Sequence, residues 1–225
     1  MQQHSAFLTD AVKFSRATLA GGTEAVYAFR ELIMLLLGKT ILDDRSFVTV
    51  QSVDWKTAFV IAPARRSIEE FANAAEGSEL YSALKLTNGY FLDLQYSLFV
   101  DEKDKFLKTD SSRMVYQSDD AGRDQFFRFE MNRKPRTHYP FAHLHVNGVW
   151  KPGLSQRPKD MEKVHFPTPR PTIESLIRVL VYDFEVESKC DPSVFEPVLR
   201  ACEQEFLKVA RTSSKDPQPL PPLEG

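Results

Sequence analysis

Apolar residues recur at three-to-four spacing near both ends of this chain and at every second position between them, and that change of period most restricts its fold. Helical spacing runs through Tyr27, Phe29 and Leu36, and again through Ile173, Leu176, Ile177, Leu180 and Val181. Between these blocks Phe47, Thr49 and Gln51 alternate with Val48 and Val50, the period of a strand with two unlike faces. Helices, then strands, then helices is the order of an α+β protein: a mainly antiparallel sheet with N-terminal and C-terminal helices packed on one face. A chain of 225 residues, 42% of them hydrophobic, can bury one such core, expected as a single domain over residues 1–212.

Local punctuation supports this order. Gly21-Gly22 predicts a break between two N-terminal helices, with Thr23 as the cap of the second and Gly38 as its end. Residues 47–51 and 57–62 predict a hairpin across Val53 to Lys56, and Ser67-Ile68-Glu69-Glu70 predicts a short capped helix. Asn88-Gly89 is the strongest hairpin signal in the chain, and further strands are expected at 113–117, 125–131 and 142–146. The sheet is expected to stop there. Thr172 caps a helix after Pro171, and Asp191-Pro192 opens a last helix through Phe206. Four prolines at 217, 219, 221 and 222, with no apolar periodicity, make 213–225 an expected mobile tail.

Several classes lose support at once. The apolar run Leu32 to Leu37 is far shorter than the roughly 20 residues of a membrane span, so it reads as a buried helix end or an oligomer contact, and no membrane role is expected. Met1-Gln2-Gln3-His4 lacks the basic start and apolar run of a secretion signal, which makes the cytoplasm the expected compartment and Cys190 and Cys202 free thiols. No Gly-rich phosphate loop, G-x-S-x-G elbow or C-x-x-C pair occurs.

Chemistry concentrates in one segment. Four of the five histidines, His138, His143, His145 and His165, lie within 28 residues. Residues 128–170 carry nine Lys and Arg against three acidic residues, a net +6, and the remainder of a chain of net charge −2 therefore carries −8. Tyr139, Phe141, Trp150 and Phe166 are interleaved with those charges, a pattern suited to the phosphates and bases of single-stranded nucleic acid. In Phe141-Ala142-His143-Leu144-His145-Val146-Asn147-Gly148, strand alternation puts His143, His145 and Asn147 on one face and Leu144 and Val146, expected buried, on the other.

Two roles for the imidazole pair follow. With a third ligand such as His138, His165 or Glu130, it holds a divalent transition metal, although no regular zinc spacing is present. Alternatively one imidazole takes a proton and the other gives one at a phosphodiester, while Arg128, Lys134 or Arg136 binds phosphate. Arg128 and Glu130 share one face of the strand at 125–131; if it adjoins the histidine strand, Glu130 joins His143 and His145 as a catalytic group. His138, Asn147 and His165 complete the expected substrate contacts. The bland reading is a sheet face hydrogen-bonding to a neighbouring loop.

Phe127-Arg128-Phe129-Glu130, then His138-Tyr139-Pro140-Phe141-Ala142-His143-Leu144-His145-Val146-Asn147-Gly148, then Pro167-Thr168-Pro169-Arg170-Pro171-Thr172 before Leu176-Ile177, resembles an uncharacterised bacterial family. That family has an aromatic-Arg-aromatic-acid strand, an H-P-x-x-H-L-H-hydrophobic-N-G strand, a proline-containing loop and a closing helix. The resemblance covers 124–184, with Tyr139 inserted between His138 and Pro140. It implies an association with toxin or phage-defence proteins. The expected function is an RNA phosphodiesterase of that type; the alternative is a non-catalytic module of a defence complex that binds nucleic acid or protein, with Leu32 to Leu37 supporting a homodimer.

Overall fold

The computed structural model describes residues 2–43, 46–53, 57–63, 83–101, 103, 105–135, 139–147 and 164–210. Two helices, α1 (Gln2–Leu19) and α2 (Glu24–Thr40), precede eight strands: β1 (Val48–Ser52), β2 (Ala58–Pro63), β3 (Leu84–Lys85), β4 (Phe91–Val100), β5 (Leu107–Gln117), β6 (Gln125–Asn132), β7 (Ala142–Val146) and β8 (Phe166–Pro167). Helices α3 (Ile173–Arg178), continued by a π turn over Val179–Asp183, and α4 (Pro192–Ala210) follow. All strand pairs are antiparallel, in the order β1-β2-β4-β5-β6-β7-β8, with β3 also paired to β4. The chain is thus α+β, as its change of period predicts.

The alternation in β4 shows how the layers form. Leu92, Leu94, Tyr96, Leu98 and Val100 are buried, while Asp93 and Gln95 point away from them. The buried side shares one core with Phe7 and Ala11 of α1, Leu32, Ile33, Leu36 and Leu37 of α2, Ile177 of α3 and Phe195 and Leu199 of α4. Phe29 meets Tyr96 edge-on at 5.1 Å. Each Leu or Phe buried in this way contributes about 1.5 to 3 kcal/mol, so the helix layer lies on the apolar side of the sheet. The opposite side faces the candidate site.

Turn chemistry positions the two N-terminal helices. Gly21 has φ +82°, and a Cβ there would lie 2.3 Å from the Lys105 carbonyl oxygen, which also accepts the Gly22 N–H at 2.7 Å. Only glycine allows that approach. At the other end Thr172 caps α3 as predicted: its hydroxyl accepts the Ser175 N–H at 3.1 Å and its own N–H donates to the Ser175 hydroxyl at 3.0 Å.

Four expectations need correction. Thr23 is itself helical and its side chain caps nothing, because the Gly21-Gly22 turn already sets the entry to α2. Gly38 does not end that helix, which runs on to Thr40 because the apolar positions Leu36, Leu37 and Ile41 continue into the core. Leu32, Ile33, Leu36 and Leu37 are buried within the chain, so these four of the run's six residues offer no dimer surface. Finally, the sheet does not stop at Val146: the short edge strand β8 returns to pair with β7. The predicted helix from Ser67 and the tail at 213–225 lie outside the described residues. No helix among the described residues is long and apolar enough to cross a membrane.

Candidate functional site

Register builds the site. Arg113 of β5 stands opposite Glu130 of β6, Glu130 opposite His143 of β7, and Arg128 opposite His145. Facing side chains on neighbouring strands lie within about 5.5 Å at Cβ, so residues distant in sequence become one cluster. The three strands expected to be adjacent and antiparallel are so. Pairing of β7 with β8 matches His143 with Pro167 and Leu144 with Phe166, which carries His165 to the same corner.

Glu130 divides its carboxylate between two kinds of partner. One oxygen, Oε1, lies 2.9 Å from Arg128 Nε and 4.0 Å from Arg113 Nε. The other, Oε2, lies 3.3 Å from His143 Nε2 and 3.4 Å from His145 Nε2. Arg113 donates in turn to Asp93 Oδ2 at 2.6 Å. These ion pairs are about one-third exposed, so they orient the carboxylate more than they stabilise the fold.

The imidazoles are packed together. Ring centroids of His143, His145 and His165 are 4.9, 4.6 and 4.5 Å apart, and one nitrogen from each lies within 4.8 Å of the others. Tyr139 packs on His165 at 4.3 Å. His143 Nδ1 lies 3.2 Å from the Pro140 carbonyl, which can only accept, so Nδ1 carries the proton of that contact. The cluster opens into a cleft of about 450 Å³ whose wall includes Gln95, Ser111, Arg113, Arg128, Glu130 and Tyr139. An anionic group entering it meets two guanidiniums beside three imidazoles.

His143, His145, His165, Glu130 and Arg128 are therefore brought together. Two expected contacts are not. Lys134 is exposed after β6 and does not line the cleft; its N–H caps the Asn132 side chain instead. Asn147 is exposed one residue past β7, with its N–H bonded to the Phe126 carbonyl, because the strand ends before its side chain can join the histidine face. Arg136 and His138 lie outside the described residues. Burial in β7 also runs opposite to expectation: His143 and His145 are 6% and 4% exposed, whereas Val146 is 38% exposed and Leu144 only half-buried. The polar face is the covered one because Tyr139 and His165 fold over it.

Arg113 and Asp93 are members of the site that inspection of the histidine segment misses. A usable signal existed: polar residues at alternate positions, Asp93 and Gln95 in β4, Ser111 and Arg113 in β5, Arg128 and Glu130 in β6, mark one continuous polar stripe across consecutive strands. Comparison with protein-family models, with curated proteins and with solved structures finds no match to this chain. The chemistry of the site rests on its own atoms.

Proposed function

We propose that this chain is a phosphodiesterase that cuts RNA in the cytoplasm, of the kind used by toxin or phage-defence systems. The observation that carries the reading is the single Glu130 oxygen held 3.3 and 3.4 Å from two imidazole nitrogens, with Arg128 and Arg113 on its sister oxygen. Hydrolysis of a phosphodiester needs a proton removed from the attacking oxygen, a proton given to the leaving oxygen, and positive charge near the phosphorus. His143 and His145 are placed to move those protons, or to hold an ion that activates the attacking water. Arg128 is placed to steady the developing charge, with Arg113 behind it. The cleft of about 450 Å³ is lined by Arg113 and Arg128 for phosphate and by the aromatic ring of Tyr139. The defence association comes from the resemblance at 124–184 alone.

Incubation of the purified chain with single-stranded RNA and DNA across pH tests this. Wild type should cut RNA, and His143→Ala should lower turnover by about 10² to 10⁴ while leaving affinity nearly unchanged. Arg136→Ala should instead weaken binding and flatten its salt dependence. Binding without cleavage, retained in His143→Ala, would put a nucleic-acid-binding module in place of the enzyme.

A further inference from the structure

We infer that His143, His145, His165 and Glu130 form a binding site for one divalent transition-metal ion of the zinc class. The inference goes beyond the phosphodiesterase reading and does not depend on RNA being the substrate. Its first support is the tautomer of His143. With a proton on Nδ1 facing the Pro140 carbonyl, Nε2 is turned toward the Glu130 carboxylate oxygen at 3.3 Å, where either a proton or a metal ion can join the two. A backbone carbonyl on the outer nitrogen is also the usual device for orienting a metal-ligating imidazole.

Distance then separates a proton from a metal. An imidazolium donating to a carboxylate draws it to about 2.7 to 2.9 Å, shorter than the 3.3 and 3.4 Å found here. Neighbouring ligands on a tetrahedral ion, with bonds of about 2.0 to 2.1 Å, stand about 3.3 to 3.4 Å apart. Glu130 Oε2 already has that spacing to each of the two Nε2 atoms. His165 supplies the third imidazole from a different segment, with one nitrogen from each of the three rings within 4.8 Å of the others.

Ligand type selects the ion. Three imidazoles and one carboxylate suit zinc, cobalt, nickel or iron, whereas magnesium and calcium take oxygen ligands. A divalent ion balanced by one carboxylate leaves the centre positive, and the cleft beside it already holds Arg128 and Arg113. The same charge favours an anionic substrate. A tetrahedral ion held by all four of these groups has no open position, so activating a water there would require a fifth position or the departure of one ligand.

The full chain, prepared without a histidine tag and stripped with a chelator, is titrated with Zn²⁺ and separately with Co²⁺, reading bound metal, cobalt absorption and melting temperature. One ion per chain is expected, with a rise in melting temperature. His165→Ala should weaken affinity by about 100-fold or more, and Glu130→Gln, which keeps the side-chain shape, should weaken it while the circular dichroism stays that of wild type. Lys134→Ala should bind like wild type. Absence of binding at one equivalent, or affinity unchanged in both His165→Ala and Glu130→Gln, overturns the site. A chain that binds the ion but cuts no RNA keeps the metal site and removes the phosphodiesterase reading; one that binds no ion yet cuts RNA does the reverse.

Discussion

On the helix side of β4 the side chains of Leu92, Leu94, Tyr96 and Leu98 are buried against α2, α3 and α4, while on the other side Asp93 and Gln95 belong to a polar row that continues through Arg113 and Glu130 to His143. The first side needs only apolar bulk of about the right shape, so its positions are interchangeable within limits. The second needs particular atoms at particular distances, because an uncharged group of the same shape cannot replace a carboxylate shared among two guanidiniums and two imidazoles. One sheet therefore separates stability from chemistry by the alternation of its side chains.

The largest effect that separates the two faces comes from a matched pair of substitutions. Leu94→Ala, at a fully buried position, should lower unfolding free energy by about 2 to 5 kcal/mol and leave turnover per folded molecule unchanged. Glu130→Gln should do the opposite, lowering turnover by about 10² to 10⁴ with little change in denaturant midpoint. Urea titration and single-turnover cleavage of the two variants measure this directly. If both properties fall together in either variant, the faces are coupled and the division fails.

Most of the inner face was legible in the sequence. Alternation located β1, β2, β4, β6 and β7, Asn88-Gly89 located the turn before β4 where Gly89 takes φ +86°, and Thr172 marked the start of α3. These are local signals, each carried by fewer than a dozen neighbouring residues. The outer face was half legible. The pairing of Glu130 with His143 follows from short connections between consecutive strands, but β8 is only two residues, one of them Pro167, and carries no period at all. Its return beside β7, and with it the placing of His165, is a long-range pairing that no local pattern announces. The reversed burial of β7 was hidden for the same reason, since what covers a strand lies elsewhere in the chain.

A smaller effect tests whether the helix layer is as uniformly apolar as its strand partners suggest. Glu174 in the first turn of α3 is buried, and loss of hydration holds its carboxyl above the ordinary carboxylate range despite help from the Thr172 side chain. The folded state thus binds this proton more tightly than the unfolded state. The contribution is fully present below the unfolded carboxylate pKa and is lost as pH rises through the raised folded value. Glu174→Gln should remove that loss, making the variant's stability flatter with pH above the carboxylate range and higher than wild type at neutral pH. Melting temperature followed from pH 4 to 8 checks it; a variant that parallels wild type throughout would assign the slope to other groups. The neighbouring Cys202 thiol, pushed up to about 11 by burial, stays protonated across that range and adds nothing to the profile.

The smallest expected effect sharpens the comparison at its boundary. Alternation assigns Val146 to the same side of β7 as Leu144, which packs against the core, yet Val146 is 38% exposed at the end of the strand. If apolar identity alone determined the inner face, removing a methyl there and adding a hydroxyl would leave an unsatisfied polar group and cost about 1 to 3 kcal/mol. Because water reaches this position, the hydroxyl of Val146→Thr can be hydrated, and threonine keeps both the branch at Cβ and the strand preference of valine. The change in unfolding free energy should stay within about 0.5 kcal/mol, and RNA cleavage should be untouched because the side chain points away from His143 and His145. A cost as large as that of Leu94→Ala would mean that the apolar layer extends over the end of β7, and the sheet would then be covered on both sides at the strand that carries the histidines.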